Sequence, residues 1–276
     1  MVGFTGLLLL DGYIDGSLTE AMTNKGVQGS ILAAIVMLLV IPAQFELSNL
    51  MKATGAIVFK PVTIIASVLF AGAWYFRQFH PQPLQFHLYY TLAVSAFAIL
   101  AIFLYQGRLF GTKGTIVNCS ASLFSVFYLG FLSSFVLAIR VEFGLWAMLM
   151  SIIVVKSSDI GAYTIGRLFG KHKFAPVISP GKTWEGIAGA VGFAIIVAML
   201  FAYIADDIMS LPKAILFGAV FAYLGQLGDL AESMIKRDAA QKDSSKTVPG
   251  FGGVLDIIDS PLVTAPLAYA FLKLIA

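Results

Sequence analysis

The chain has 276 residues, of which 59% are hydrophobic and only 12% are charged. Soluble domains are roughly 45–50% apolar and about 25% charged, so this composition excludes an ordinary water-soluble protein. The net charge of +3 does not identify a class of partner, and the distribution of charges does not support binding to nucleic acid. The composition favours a protein whose main solvent is a lipid bilayer.

Eight apolar stretches approach the length of about 20 residues that a helix needs to cross the hydrocarbon core. They lie at 29–50, 60–78, 86–106, 116–139, 143–166, 185–205, 214–232 and 254–275. A weaker ninth candidate at 3–20 is interrupted by Asp11 and Asp15. The sequence therefore predicts an all-α polytopic membrane protein with about eight or nine transmembrane helices.

Basic residues concentrate in alternate loops between these stretches. The loops at 51–60, 107–114, 167–182 and 236–246 contain twelve of the 18 lysines and arginines. Because an excess of Lys and Arg marks loops on the cytoplasmic side, these four loops are predicted to be cytoplasmic.

The two halves of the chain differ in where their charges lie. In residues 1–140 the charges are largely confined to loops, which predicts a scaffold of membrane helices, with oligomerisation as an optional role. From residue 143 onward, charges lie inside or at the ends of three apolar runs: Asp159 with Arg167, Asp229 with Glu232, and Asp256 with Asp259. Ionisable side chains at bilayer depth are costly and usually face a polar interior. Residues 141–276 are therefore predicted to be a catalytic membrane domain with cytoplasmic loops at 167–184 and 236–253.

The spacing of the acidic residues predicts a shared cation site. Asp229 and Glu232 are three residues apart and Lys236 lies four further on, so they share one helix face. Asp256 and Asp259 have the same three-residue spacing. Clustered carboxylates repel one another unless a cation neutralises them, and hard oxygen ligands favour Mg²⁺ or Mn²⁺. The alternative is a set of structural carboxylates paired with Lys236, Arg237 or Arg167.

Two basic loops flank these helices. In the first, Pro180-Gly181 indicates a turn, after which Lys182, Thr183, Ser179 and the backbone N–H groups of the next helix are suited to binding a phosphate. The spacing of a P-loop is absent. The second loop adds Lys236, Arg237, Lys242, Asp243 and Lys246. Taken singly, each lysine is also explained by membrane orientation or by attraction to anionic lipid.

These motifs resemble those of the phosphatidate cytidylyltransferases, also called CDP-diacylglycerol synthases, over roughly residues 155–262. The matching C-terminal stretches are Gly228-Asp229-Leu230, Glu232-Ser233-Met234-Ile235-Lys236-Arg237, Lys242-Asp243 and Pro249 to Ser260. The matching upstream stretches are Ser158-Asp159-Ile160-Gly161-Ala162-Tyr163, Gly166-Arg167 and Ser179-Pro180-Gly181-Lys182-Thr183-Trp184-Glu185-Gly186. Residues 1–140 agree with the family only in being membrane helices.

Three positions depart from the family pattern. Phe251 stands where the family usually has His, Ile257 where it has Arg, and Lys156 where it has Trp. Lys156 precedes Asp159 by three residues, so it is expected to pair with nearby acids. A catalytically impaired family member is therefore an alternative interpretation.

The resemblance implies transfer of a cytidylyl group from CTP to phosphatidate, giving CDP-diacylglycerol and pyrophosphate. It implies catalytic roles for Asp229, Asp256, Asp259, Lys236 and Arg237, with Mg²⁺ or Mn²⁺ held by the three aspartates. It further implies substrate binding by Asp159, Arg167, Ser179, Lys182, Thr183, Glu232, Ser233, Lys242 and Asp243. The implied setting is a multi-pass protein of the bacterial inner membrane with its active site on the cytoplasmic side, and a homodimer is one candidate assembly.

Two other functions remain open from the sequence. A related lipid cytidylyltransferase or lipid kinase would carry similar phosphate-binding motifs. A cation-coupled transporter would also place carboxylates in helices, but with inverted repeats and charges near the bilayer midplane. Here the charges cluster at one side beside basic loops, which favours an enzyme.

Overall fold

The computed structural model describes residues 2–18, 27–205, 208–250 and 252–275. Within these ranges the chain forms ten α-helices, which are α1 (Val2–Ile14), α2 (Ser30–Ala53), α3 (Lys60–Ala71), α4 (Ala73–Phe76), α5 (Pro83–Phe110), α6 (Thr115–Ser125), α7 (Leu132–Phe169), α8 (Trp184–Ile204), α9 (Leu211–Asp238) and α10 (Val254–Ile275). A 3₁₀ turn, Arg77–Phe79, follows α4, and a π-helix, Val126–Phe131, joins α6 to α7. Phe251, one of the three departures from the family pattern, lies outside the described residues.

Six helical runs in the described part of the chain are long and apolar enough to cross a membrane. The number rises to seven if α3 and Ala73–Phe79, which meet at a 47° bend, form one span. The prediction of an all-α polytopic membrane protein is therefore confirmed.

Two features of the described helices bear on the predicted count of about eight or nine spans. The predicted spans 116–139 and 143–166 are consecutive parts of one helical run, Thr115–Phe169, which has 55 residues. At 1.5 Å per residue, 55 residues make about 80 Å of helix in total, against a hydrocarbon core of about 30 Å. Gly144 interrupts it with φ 85° and ψ −178°, a conformation open essentially to glycine alone. The run therefore contains enough residues for two crossings.

The predicted ninth span is too short to cross the core. Of the segment 3–20, the described part forms α1, which has 13 residues and is therefore about 20 Å long; residues 19 and 20 lie outside the described ranges. A weak, interrupted apolar stretch thus yields a short helix and not a full span.

The chain divides into two compact units: residues 1–142 with 238–257, and residues 143–237 with 258–276. In the first unit α3 packs on α2, α5 and the π-helix. Its apolar core contains Ala66 and Phe70 of α3, Val94 and Ala98 of α5, and Val126.

Asp11 and Asp15 have a structural use in the first unit. The guanidinium group of Arg140, which is 0% exposed, forms ion pairs with both carboxylates. The carboxylates also accept hydrogen bonds from the backbone N–H groups of Ile31 (2.7 Å) and Gly29 (3.2 Å) at the start of α2. Buried charges need such partners, so this network fixes α1 against the beginning of α2.

Glu46 of α2 is another buried carboxylate in the first unit, and it holds a loop that is distant in sequence. It accepts hydrogen bonds from the hydroxyls of Ser244 (3.0 Å) and Ser245 (2.7 Å). It also accepts from the backbone N–H groups of Val254 (3.0 Å) and Leu255 (2.8 Å). These two N–H groups lie in the first turn of α10, where helices have unsatisfied donors and favour negative charge. Glu46 therefore caps α10 and fixes the loop that precedes it.

In the second unit, glycines allow the helices to approach closely. A Cβ atom added to Gly161 of α7 would lie 2.5 Å from the carbonyl oxygen of Gly189 of α8. One added to Gly228 of α9 would lie 3.2 Å from Cα of Ser260 of α10. These contacts bring α7 close to α8 and α9 close to α10, as small residues do in membrane helix packing.

A short antiparallel hairpin stands between α7 and α8. Strand β1 (Lys173–Ala175) pairs with β2 (Ser179–Thr183), with Lys173 opposite Thr183 and Ala175 opposite Ser179. The predicted loop 167–184 is therefore largely a hairpin, and it places Lys182 directly before α8.

Candidate active site

Three carboxylates meet inside the second unit. Asp229 and Glu232 lie on one face of α9, and Asp259 lies on α10. One oxygen from each falls within 4.8 Å of the others. The close packing at Gly228 explains why residues of the two helices meet here, since Ser260, next to Asp259, lies against this glycine. The prediction that Asp229 and Asp259 come together is confirmed.

Each of these carboxylates pairs with a lysine from a different segment. The ammonium nitrogen of Lys182, on β2, lies 2.6 Å from Asp229 Oδ2. That of Lys236, on α9, lies 2.7 Å from Glu232 Oε2. That of Lys156, on α7, lies 3.3 Å from Asp259 Oδ1. We refer to these three acids and three lysines as the acid–lysine cluster.

Two further polar residues extend the cluster along α7 and α9. Asp159 Oδ2 lies 3.5 Å from the ammonium nitrogen of Lys156, so the expected pairing of Lys156 with nearby acids is confirmed. The other oxygen of Asp159 accepts a hydrogen bond of 2.9 Å from the side-chain amide of Gln226. The backbone carbonyl of Gln226 accepts a 3.0 Å hydrogen bond from Lys182. Gln226 thus contacts both Lys182 and Asp159, the partner of Lys156.

The acid set fits a hard divalent cation. Carboxylate oxygens are the ligands that Mg²⁺ and Mn²⁺ prefer, and three carboxylates within 4.8 Å of one another can contribute ligands to one ion. In this set Glu232 accompanies Asp229 and Asp259, although the sequence had assigned Glu232 to substrate binding.

Asp256, the third predicted metal ligand, lies in the part of α10 that belongs to the first unit. Its Oδ2 accepts hydrogen bonds from the backbone N–H of Gly253 (2.7 Å) and from the N–H (3.0 Å) and hydroxyl (2.8 Å) of Ser244. Gly252, with φ 91°, provides the turn that brings the chain back to this carboxylate. A catalytic role for Asp256 stays a prediction.

The predicted phosphate-binding residues of the hairpin take several positions. Thr183 is buried, and its hydroxyl caps α8 by accepting a hydrogen bond of 3.1 Å from the N–H of Gly186. Ser179 lies at the other end of β2, away from Lys182 along the strand. Of this group, Lys182 joins the acid–lysine cluster directly.

The other predicted site residues lie at the ends of helices or in the second basic loop. Arg167 donates a 2.7 Å hydrogen bond to the hydroxyl of Tyr163 and is exposed, while Arg237 donates to the carbonyl of Ile178 at 3.3 Å. Ser233 is buried on α9, beside Glu232. Lys242 and Asp243 lie in the exposed loop after α9. Their roles stay predictions.

The sequence did not reveal the partners of two structurally important residues, Gln226 and Glu46. Gln226 has no charge and sits in an ordinary apolar run, so no local pattern singles it out. Glu46 is a lone carboxylate in an apolar span, which indicates a buried polar role. Its partners lie about 200 residues away in the sequence, so the local pattern does not identify them.

The fold and the acid–lysine cluster define a polytopic membrane protein with a buried polar centre suited to phosphate groups and a divalent cation. The chain matches the model of the cytidylyltransferase family over residues 22–275, and it belongs to that family.

Curated relatives carry a more specific name. The chain is 42% identical over 127 residues to the phosphatidate cytidylyltransferase of Haemophilus influenzae. This match covers 45% of this chain and 44% of the relative. It is 40% identical over 151 residues to that of Staphylococcus haemolyticus, covering 55% and 58%. It is 34% identical over 185 residues to that of Bacillus subtilis, covering 66% and 68%. The first two matches span about half the length of those relatives. The resemblance found in the sequence is confirmed.

Proposed function

We propose that this protein transfers the cytidylyl group of CTP to phosphatidate, producing CDP-diacylglycerol and pyrophosphate. The observation that carries the proposal is the acid–lysine cluster, formed within the helices of a membrane protein of the cytidylyltransferase family. The names of the curated relatives supply the lipid acceptor.

The reaction needs little covalent help from the protein. A phosphate oxygen of phosphatidate attacks the α-phosphorus of CTP and forms the new P–O bond. The bond from that phosphorus to the bridging oxygen of the β-phosphate breaks, and pyrophosphate leaves with the electron pair. The nucleophile is already anionic, so no strong general base is required. The protein must align the two phosphates and neutralise their charges.

The cluster residues are suited to that task. A divalent cation held by Asp229, Glu232 and Asp259 would neutralise charge on the triphosphate and on the leaving pyrophosphate. Lys182 and Lys236 have ammonium groups within 2.7 Å of these acids, so they are placed to contact phosphates bound at the same centre. Arg237 and Lys242 are proposed as further phosphate contacts, and Asp256 as a positioning residue at the start of α10.

The proposed setting is the cytoplasmic side of a bacterial inner membrane. The excess of Lys and Arg in the loops 167–182 and 236–246 supports this orientation. CTP would arrive from the cytoplasm and phosphatidate from the bilayer. The homodimer stays a prediction.

The test is a transfer assay on the full chain in mixed micelles containing phosphatidate, Mg²⁺ and CTP labelled at the α-phosphorus. Wild type should place the label in lipid, and Asp259→Asn should reduce the rate at least about 100-fold through loss of a charged group that acts in the transition state. Lys213→Met is the matched control, since Lys213 lies at the other end of α9 and donates to the carbonyl of Ile275.

The assay separates the rival functions when it is repeated with CTP labelled at the γ-phosphorus and with other lipid phosphates as acceptors. Label transferred from the γ-phosphorus of CTP would indicate a lipid kinase. Label accepted by another lipid phosphate in preference to phosphatidate would indicate a related lipid cytidylyltransferase. No lipid labelling under any of these conditions would contradict the proposal. If the chain is an impaired family member, Ile257→Arg, at an exposed position on α10, should raise a low rate.

A further inference from the structure

The acid–lysine cluster has a charge balance that the proposed function does not itself require. Its three carboxylates are matched by three ammonium groups, which come from α7, β2 and α9. The pairs are Lys156 with Asp259, Lys182 with Asp229, and Lys236 with Glu232. These six side chains therefore sum to zero formal charge when all are ionised.

This balance opposes the binding of a bare divalent cation. Mg²⁺ requires ligand oxygens at about 2.0–2.1 Å, and these same carboxylates have ammonium nitrogens at 2.6, 2.7 and 3.3 Å. A doubly charged ion among the carboxylates would lie within a few ångströms of three positive charges. At such distances like charges repel strongly in a partly buried site, so the lysines compete with the metal for the acids.

We propose that Lys182 and Lys236 exchange partners when the cation and the triphosphate bind, and that this exchange makes the two ligands bind cooperatively. The proposal rests on the function proposed above. The two ammonium groups leave Asp229 and Glu232 for phosphate oxygens, and the cation takes their place on the carboxylates. The two charges of the cation replace the charges of the two ammonium groups, so Asp229 and Glu232 remain neutralised.

The three lysines differ in their freedom to exchange. Lys156 lies between Asp259 and Asp159. Because it pairs with two carboxylates, we expect it to remain in place. Lys182 pairs with Asp229 and Lys236 with Glu232, and both lysines have long, flexible side chains with a compact charge that can move to a phosphate oxygen.

The consequence is a defined thermodynamic signature. The triphosphate should raise the affinity for the cation, and the cation should raise the affinity for the triphosphate by the same factor. Removing one exchanging lysine should tighten binding of the cation alone, because a competitor is lost. The same change should weaken the cooperativity, because there is no longer an ammonium group at that position to bind a phosphate oxygen of the triphosphate.

The experiment measures Mn²⁺ binding to the full chain in micelles, from the electron paramagnetic resonance signal of the free ion, with and without CTP. For wild type, CTP should raise the Mn²⁺ affinity on the order of tenfold, within the usual range of coupling between ligands. Lys182→Met should bind Mn²⁺ without CTP on the order of tenfold more tightly than wild type and show little further gain with CTP. Lys236→Met should behave similarly, and Lys213→Met should match wild type.

CTP also chelates Mn²⁺ in solution, but equally in every sample, so the comparison between variants removes this contribution. Equal Mn²⁺ affinity in wild type and both lysine variants without CTP would overturn the exchange, even if cytidylyl transfer is observed. Absence of cytidylyl transfer by wild type would instead contradict the proposed function. Lys182→Gln provides a second neutral variant if Lys182→Met does not fold.

Discussion

The pair formed by Glu232 and Lys236 gives the sharpest prediction for stability. The Glu232 side chain is 0% exposed and that of Lys236 is 10% exposed, and their charged atoms are 2.7 Å apart. Removing one partner of a buried ion pair leaves an uncompensated charge, which costs about 3–5 kcal/mol. Glu232→Gln should therefore lower the free energy of unfolding by about 3–5 kcal/mol, and Lys236→Met by a similar amount.

The double variant Glu232→Gln/Lys236→Met should cost less than the sum of the two single changes. Each single change leaves the cluster with one unmatched charge, whereas the double change restores the balance among the remaining acids and lysines. The interaction energy of this cycle should be about 2–3 kcal/mol, within the range for contacting residues. Lys182 and Asp229 are more exposed, at 14% and 32%, so the cycle Lys182→Met/Asp229→Asn should give a smaller value.

The assay is reversible unfolding of the helical protein in mixed micelles by a denaturing detergent, followed by far-ultraviolet circular dichroism. All four variants of each cycle are compared with wild type at the same protein and micelle concentrations. A single Glu232→Gln cost below about 1 kcal/mol, as for an exposed ion pair, would refute the interpretation of this pair as buried and mutually dependent.

Three further predictions concern buried contacts within each of the two units. Glu46→Gln should free the loop before α10 at a cost of about 3 kcal/mol, so trypsin should cleave after Lys242 about 100-fold faster; an unchanged rate would show that Glu46 does not hold the loop. Gly189→Ala should destabilise the protein by about 1–3 kcal/mol, since its Cβ would lie 2.7 Å from the carbonyl of Gly161. Gly192→Ala, with open space around it, is the control and should be neutral or stabilising by up to about 1 kcal/mol. Arg140→Met leaves Asp11 and Asp15 without their buried cation and should cost about 3–5 kcal/mol; a melting temperature equal to wild type would contradict this.

The parts of the site that sequence predicts well are those set by local helical geometry. Glu232 and Lys236 are four residues apart on one helix, so their pairing follows from the helical repeat. Lys156 and Asp159 are similarly close. The convergence of Asp229 and Asp259 required an argument about the cost of charges in a bilayer, and that argument succeeded because both residues terminate apolar runs.

The parts that sequence predicts poorly depend on partners distant in the chain. The spacing of Asp256 and Asp259 predicts one helix face, but an aspartate in the first turn of a helix can also accept hydrogen bonds from nearby N–H groups, as Asp256 does from Gly253. Glu46 meets its partners only after the chain has folded. The way the chain links two neighbouring apolar stretches was also beyond the sequence, because hydropathy does not distinguish one long helical run with a break at Gly144 from two separate helices.

The most direct test of the central claim is to map where a divalent metal binds in the full chain. Fe²⁺ substituted for Mg²⁺ generates hydroxyl radicals with ascorbate and peroxide, and these cleave the backbone close to the metal. With CTP present, we predict cleavage next to Asp229, Glu232 and Asp259, suppressed by excess Mg²⁺ and lost in Asp259→Asn. Cleavage confined to other segments, unchanged in Asp259→Asn, would contradict the assignment of the acid–lysine cluster as the reaction centre.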